Sequence, residues 1–494
     1  MTISAKIKVY PEKKIGVINP NLYGHFCEHL GRLVYDGIWV GSDSKISNID
    51  GLRKDIIDAL KEINPPVARW PGGCFADDYH WQDGIGPRNE RPNTVNIHWN
   101  ALESNEFGTH EFLRFCKLIG AEPYIAANVG SGTVKEMRDW IEYLNCSQDT
   151  TLSKLRAKNG HEEPFNVKYF GIGNENWGCG GNMSPKYYAD VYKRYATYAK
   201  SFAEHELYKI AAGPSSFNLH WTYHFFKRLC ENKFIGCPYR LPLIDAFAMH
   251  YYTGSSKTAT DYTEKEWYSL LRKCRKIEIL MKAHRWIMNR YDRGHNVDLI
   301  VDEWGTWHKE EEGTTERWLY QQNTIRDALV AAMTLDIFNN NCEIVKMANI
   351  AQTVNVLQAL ILTNDDDMLL TPTYHVFNLY KNHQGADALR TKIKTKGKSR
   401  VPLISGSCSS NKDKIMLSLV NAHASKPIKA RIVWCGRTKP GFVEGSMLKA
   451  DDIHDHNTFE QPDKLKLESF SIEGDGVTIP PRSVVTLSFS RTIT

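Results

Sequence analysis

In the stretch VKYFGIGNENW, residues 167–177, a β-rich and mostly apolar run gives way at once to Gly173-Asn174-Glu175-Asn176. A run of that length and character fits a strand covered on both faces, as in a parallel sheet. Its polar end puts hydrogen-bonding groups where the strand leaves the sheet. Seven further runs of the same kind flank it: Gly16 to His25, Pro66 to Pro71, Pro123 to Asn128, Lys209 to Gly213, Ile244 to Tyr252, Val297 to Glu303 and Glu343 to Gln352.

Amphipathic segments separate these runs. Thr133 with Glu136 forms a capping-box pattern, and Ser184 followed by Pro185 reads as an N-cap with proline in the first turn. Ile49 to Ile63 sets Leu52, Ile56, Ala59, Leu60 and Ile63 on one stripe, and a longer helix is expected over Thr315 to Phe338. Eight strands alternating with helices predict an α/β fold, a (β/α)8 TIM barrel over residues 16–385. Beyond it, Thr391 to Arg400 is basic and contains glycine, and Ile415 to Val420, Ile428 to Trp434 and Ser483 to Phe489 alternate with period two. This predicts a C-terminal all-β sandwich, jelly-roll-like, over residues 386–494. Residues 1–15 alternate in the same way around Lys6 to Tyr10 and are expected to join that sandwich.

The composition narrows the function classes. A net charge of +5 spread over 494 residues is too dilute for a nucleic-acid groove. The apolar stretches Asp327 to Phe338 and Val354 to Leu362 fall short of the roughly 18–20 residues that span a bilayer, so no membrane partner is expected. The N-terminus alternates and lacks a charged region followed by an apolar one, which predicts a cytoplasmic protein. Eleven cysteines without a C-x-x-C pair read as mostly buried thiols. His25, Cys27, Glu28 and His29 are ligand types, but their spacing matches no metal motif and no metal is expected.

In such a barrel the reactive groups project from the C-terminal ends of the strands. Those ends carry Arg69, Asn128, Asn174, Glu175, His250, Tyr252, Asp302, Glu303 and Gln352, with Glu28 after the first strand. Glu175 and Glu303 stand out, because a carboxylate directly after an apolar strand must find its partner across the barrel mouth. A retaining glycosidase needs two carboxylates about 5–5.5 Å apart, one to attack and one to donate a proton. Repulsion between the two charges keeps the donor protonated. Trp177, Trp304 and Trp307 flank these acids, as expected of aromatic faces that pack on sugar C–H groups. A non-catalytic sugar-binding protein could share the scaffold, but the presence of both acids favours an enzyme.

The strings YGHFCEHLGR (23–32), RWPGGCFADDYHW (69–81), GIGNENWGCGG (171–181), MHYY (249–252), VDEWGTW (301–307) and ANIAQTVNV (348–356) resemble those of the family 51 glycoside hydrolases, the α-L-arabinofuranosidases, over nearly the whole chain. The resemblance implies Glu175 as general acid/base and Glu303 as nucleophile. Asn174, Glu28 and Gln352 would bind sugar hydroxyls, Arg69 and Tyr252 would hold the nucleophile, and His250 and Trp307 would line the pocket. It implies no metal or organic cofactor, an arabinose-containing oligosaccharide as substrate, and a homo-oligomer, often a hexamer. Where many members carry Asn, this chain has Cys74, which is expected to tune the pocket. Cys179 could lie near Cys74, but free thiols are the expectation. The nearest alternative is another retaining barrel hydrolase, a β-xylosidase or an endoglucanase.

Overall fold

The computed structural model describes residues 3–202, 206–231, 243–395, 403–437 and 440–491. Eight parallel strands close into a barrel, each hydrogen-bonded to the next in chain order: Gly24–Phe26, Val67–Trp70, Glu122–Ala127, Tyr169–Ile172, Tyr208–Ala211, Ala246–Gly254, Asp298–Trp307 and Val345–Ile350. They are numbered one to eight below. Phe26 pairs with Arg69, Arg69 with Tyr124, and Ile125 with Phe170, so the strand ends come level at one rim.

The chain divides into two compact units. One comprises Gly24–Tyr251 with Leu280–Glu303. Three of its helices begin where the sequence offers a side-chain cap: the side chains of Thr133, Ser184 and Asn218 each accept the backbone N–H three residues on. Each such bond contributes about 1 kcal/mol. Helix Lys54–Ile63 buries Ile56, Ile57, Ala59, Leu60 and Ile63. It starts later than the expected Ile49, because Asn48–Ile49 and Leu52–Arg53 pair as a small hairpin.

The other unit comprises Met1–Tyr23, Tyr252–Ile279 and Trp304–Thr494. Its all-β part is one nine-stranded ladder whose separated strands share a single apolar core, including Ile7, Val9, Leu417, Ile432, Val477 and Leu487. The strand Ile3–Val17 lies between Asp387–Thr395, antiparallel, and Ile428–Trp434, parallel. Gly16 and Val17 pair with Ala388 and Asp387, so they belong to this ladder, which corrects the expectation that they open the first barrel strand. The barrel strand is only Gly24–Phe26, reached through a helical turn at Pro20–Tyr23. Of the basic stretch, residues 396–400 lie outside the described residues.

The helix expected from Thr315 starts at Ile325. Arg317 and Leu319 have left-handed backbones, and the helix waits for a capping box in which Thr324 and Asp327 bond one another's backbone. Among the described residues no helix is long and apolar enough to cross a membrane.

Helix Ile325–Asn340 joins the ladder through Asp336, whose carboxyl accepts from Ser405 and Ser407 at 2.8 Å and from Tyr380 at 3.0 Å. Burial raises its pKa from 3.8 to about 7, because three hydroxyl donors do not replace bulk water around a charge. The folded carboxyl then holds its proton more tightly than the unfolded one. Its contribution to stability is full below about pH 4 and is lost as pH rises toward 7. Wild type should therefore lead an Asp336→Asn variant by more at pH 5 than at pH 8 in thermal melts, and a lead independent of pH contradicts this.

Candidate active site

Arg69, at the end of strand two, is fully buried and organises the rim. Its Nη1 donates to Glu303 Oε1 at 2.8 Å and its Nη2 to Asn174 Oδ1 at 2.6 Å, while Nε lies 3.6 Å from Asp302 Oδ2. One guanidinium thus ties the ends of strands four and seven to strand two. A buried charge of this kind is tolerable because it is paired and hydrogen-bonded on several sides. Asp302 in turn accepts from Tyr124 Oη at 2.7 Å.

His250, on strand six, points Nδ1 at both acids, 2.9 Å from Glu175 Oε1 and 3.4 Å from Glu303 Oε2. Burial works against a charged imidazole here. The charge of Glu303, with the hydrogen bond and charge of Glu175, outweighs it and holds the pKa above the ordinary histidine value. An oxygen of Glu175, an oxygen of Glu303 and a ring nitrogen of His250 all lie within 4.8 Å of one another. Two carboxylates brought together from 128 residues apart in sequence therefore meet at one point of the barrel mouth (303 − 175 = 128). Glu303 is the more enclosed, with a side chain 6% exposed against 19% for Glu175.

The loop carrying Glu175 is built tightly. Glu175 itself has φ 41°, a left-handed conformation that a non-glycine residue adopts at some cost. The N–H groups of Gly178 and Gly180 donate to its carbonyl at 2.7 and 3.3 Å. A Cβ at Gly180 would stand 2.0 Å from Asn174 O and 2.5 Å from Asp77 Oδ2, so only glycine fits.

Asp77 holds this loop from below. Its Oδ2 accepts the Asn174 N–H at 2.8 Å, and its Oδ1 accepts those of Val129 and Gly130 at 2.7 and 2.9 Å. Burial still pushes its pKa up to about 7, although these three bonds favour the anion. Truncation to alanine leaves three donors without acceptors, at about 1–3 kcal/mol for each that stays dry. Asp77→Ala is accordingly expected to melt well below Asp77→Asn, which keeps one acceptor. Equal melting temperatures for the two variants contradict this role.

Glu28 follows strand one and accepts from Phe75 N–H at 3.2 Å and from Trp99 Nε1 at 3.1 Å. A Cβ on Gly73 would stand 2.6 Å from its Oε2, so the double glycine is what lets this carboxylate in. Burial first, and the charge of Glu303 second, raise its pKa to about 7.

Cys74 and Cys179 form a disulfide, with 5.5 Å between their Cα atoms, which corrects the expectation of free thiols. The reason is Asp77: it ends the turn Cys74–Asp77 and binds Asn174, which draws that turn and the loop after strand four together. Trp304 is a second correction. It is 1% exposed and packs on Phe338 and Phe377, so it belongs to the core and presents no face to a sugar.

Of the residues singled out in the sequence, Glu28, Arg69, Cys74, Asn174, Glu175, His250 and Glu303 lie in the same compact unit. Tyr252, Trp307 and Gln352 belong to the other unit, each within two residues of the C-terminal end of its strand. There the Tyr252 and Trp307 rings meet edge to face at 4.9 Å, and Gln352 is buried. Asp77 and Trp99 went unnoticed in the sequence, since neither ends a strand. Trp99 sits between the short strands Thr94–Asn96 and Ala101–Glu103, and only the fold brings it to Glu28.

Residues 59–269 match the α-L-arabinofuranosidase 1 domain and residues 302–483 the α-L-arabinofuranosidase C-terminal domain. A Bacteroides ovatus protein named intracellular exo-α-L-arabinofuranosidase is 44% identical over 98% of this chain and 95% of its own. The crystal structure of the GH51 arabinofuranosidase from Xanthomonas axonopodis pv. citri superposes with a TM-score of 0.93 at 41% identity, covering 99% of this chain and all of that one. That of the Thermotoga maritima α-L-arabinofuranosidase, in an arabinose complex, gives 0.86 at 30% identity over 99% and 100% of the two chains. With two matching domains and this identity along almost its full length, the chain belongs to the α-L-arabinofuranosidases of glycoside hydrolase family 51.

Proposed function

We propose that the protein is an exo-acting, retaining α-L-arabinofuranosidase in which Glu303 is the nucleophile and Glu175 the general acid/base. The observation that carries this reading is the approach of the two carboxylates to within 4.8 Å. Retaining enzymes hold the pair about 5–5.5 Å apart, whereas inverting ones need about 6.5–9.5 Å to admit a water. The roles divide by environment. Glu303 takes the hydrogen bond of Arg69, and a guanidinium favours the ionised carboxylate that a nucleophile requires. Glu175 is the more exposed of the two, as suits a group that must meet both leaving group and water.

In the first step Glu303 attacks the anomeric carbon while Glu175 gives its proton to the departing oxygen, leaving an arabinosyl ester. In the second, Glu175 takes a proton from water, whose oxygen displaces Glu303 and restores the starting configuration. Asn174 would bind a ring hydroxyl. Its Oδ1 is taken by Arg69, while its buried Nδ2 has no partner among the described residues. Glu28 and Gln352 would hold further hydroxyls, Tyr252 would orient the nucleophile, and Cys74, His250 and Trp307 would line the pocket.

The substrates on this reading are arabinoxylan or arabinan oligosaccharides. The names of the relatives support exo action and an intracellular, cytoplasmic site, and the family resemblance supports a homo-oligomer, a hexamer. The test is a comparison of kcat/KM on aryl α-L-arabinofuranoside, β-D-xyloside and β-D-glucoside. The arabinofuranoside should lead by about 100-fold or more, since a site built to bind specific hydroxyls rejects sugars that misplace them. A xyloside or glucoside turned over as fast overturns the assignment.

A further inference from the structure

A second chemistry is latent beside Glu175. We propose that, once the Cys74–Cys179 disulfide is reduced, the two sulfurs and Glu175 form a site for one thiophilic divalent cation, zinc or its analogues, which shuts the pocket. Ligand atoms of Cys74, Cys179 and Glu175 all lie within 4.8 Å of one another, and all three residues are partly open to solvent.

The geometry suits such an ion. Two thiolates about 2.3 Å from a tetrahedral zinc stand about 3.8 Å apart. Side-chain rotation from Cα atoms 5.5 Å apart reaches that separation without moving the backbone. The two oxygens of Glu175 are already divided in their tasks. Oε1 is held by His250 at 2.9 Å, and Oε2 faces Cys179 Sγ at 3.9 Å. His250 would therefore act as the outer partner that orients a ligating carboxylate.

A neighbouring group, Glu175 with His250 and Glu303, is equally compact. It is the poorer site, because Arg69 lies 2.8 Å from Glu303 and puts a full positive charge against any incoming cation. Softness decides in the same direction, since thiolates select zinc and cadmium over the hard cations that carboxylates prefer.

The chemistry balances with an external dithiol as reductant. Its thiolate attacks one sulfur and breaks the S–S bond to give a mixed disulfide. Its second thiol then displaces the protein sulfur, so the reagent leaves as a cyclic disulfide with both electrons accounted for. Cys74 and Cys179 remain as thiols and lose their two protons to solvent as the cation binds. A bound cation occupies the Glu175 oxygen, so hydrolysis should stop while the ion is present. That consequence rests on the acid/base assignment, whereas binding itself does not.

Equilibrium dialysis of oxidised and reduced protein against zinc, read by elemental analysis, tests the site. Thiolate-to-cadmium absorption in a parallel titration gives a second readout. Reduced protein should bind one equivalent more than oxidised protein, and Cys74→Ser and Cys179→Ser should each lose it although the eight other described cysteines remain. Equal binding in both redox states, or an extra equivalent that survives either substitution, overturns the proposal. With zinc at tenfold its dissociation constant, the reduced enzyme should run about elevenfold slower than its own metal-free rate. Hydrolysis by the metal-free enzyme reports on the function independently, so failure of the cation site and failure of the functional reading are distinguishable.

Discussion

Glu303→Ala should lower kcat on an aryl α-L-arabinofuranoside by about 10⁴- to 10⁶-fold, the range expected when a covalent nucleophile is deleted from an otherwise intact site. The loss should be nearly the same for good and poor leaving groups, because no route to the glycosyl ester remains. Azide can enter the space left by the carboxylate and attack from that side, which would give a glycosyl azide of inverted configuration. Arg69 loses its 2.8 Å partner but keeps Asn174 and the nearby Asp302, so the variant should fold with a reduced melting temperature. Activity within tenfold of wild type contradicts the role of Glu303.

Glu175→Ala should behave differently. General acid assistance is worth about 10²–10⁴-fold, and a leaving group that departs without a proton does not need it. Substrates with poor leaving groups should therefore slow by that factor, while a dinitrophenyl arabinofuranoside still forms the ester rapidly and then accumulates it. Azide needs no general base, so it should restore turnover and yield a glycosyl azide of retained configuration. An inverted azide, or equal slowing of every substrate, would show the two glutamates to be exchanged or the mechanism to be of another kind.

The barrel could be read in the sequence because its strands are apolar runs with abrupt polar ends, and seven of the eight positions found coincide with observed strands. The first was misplaced: Gly24–Phe26 is too short to leave a period of its own, and the alternation before it belongs to the long strand Ile3–Val17. The late start of helix Ile325–Asn340 follows from Thr324 and Asp327, whose cap is local and visible, overriding the looser apolar spacing from Thr315. At the site, Arg69, Asn174, Glu175, His250 and Glu303 were legible because each lies where an apolar run turns polar, within its strand or up to three residues beyond it. The disulfide and Asp77 were not. Both depend on loops from strands two and four meeting in space, and no periodicity in the chain encodes that approach. Trp304 misled for the opposite reason: it follows Glu303 directly in the same strand, yet successive residues of a strand face opposite ways, and it points to the core.

The most direct measurement is the mass of the peptides from Glu175→Ala protein quenched during turnover of a dinitrophenyl α-L-arabinofuranoside. The added mass of one arabinosyl group should sit on the peptide that contains Glu303, on that side chain. An adduct on any other residue, or none while product still forms with inverted configuration, would contradict the double displacement drawn from these two carboxylates.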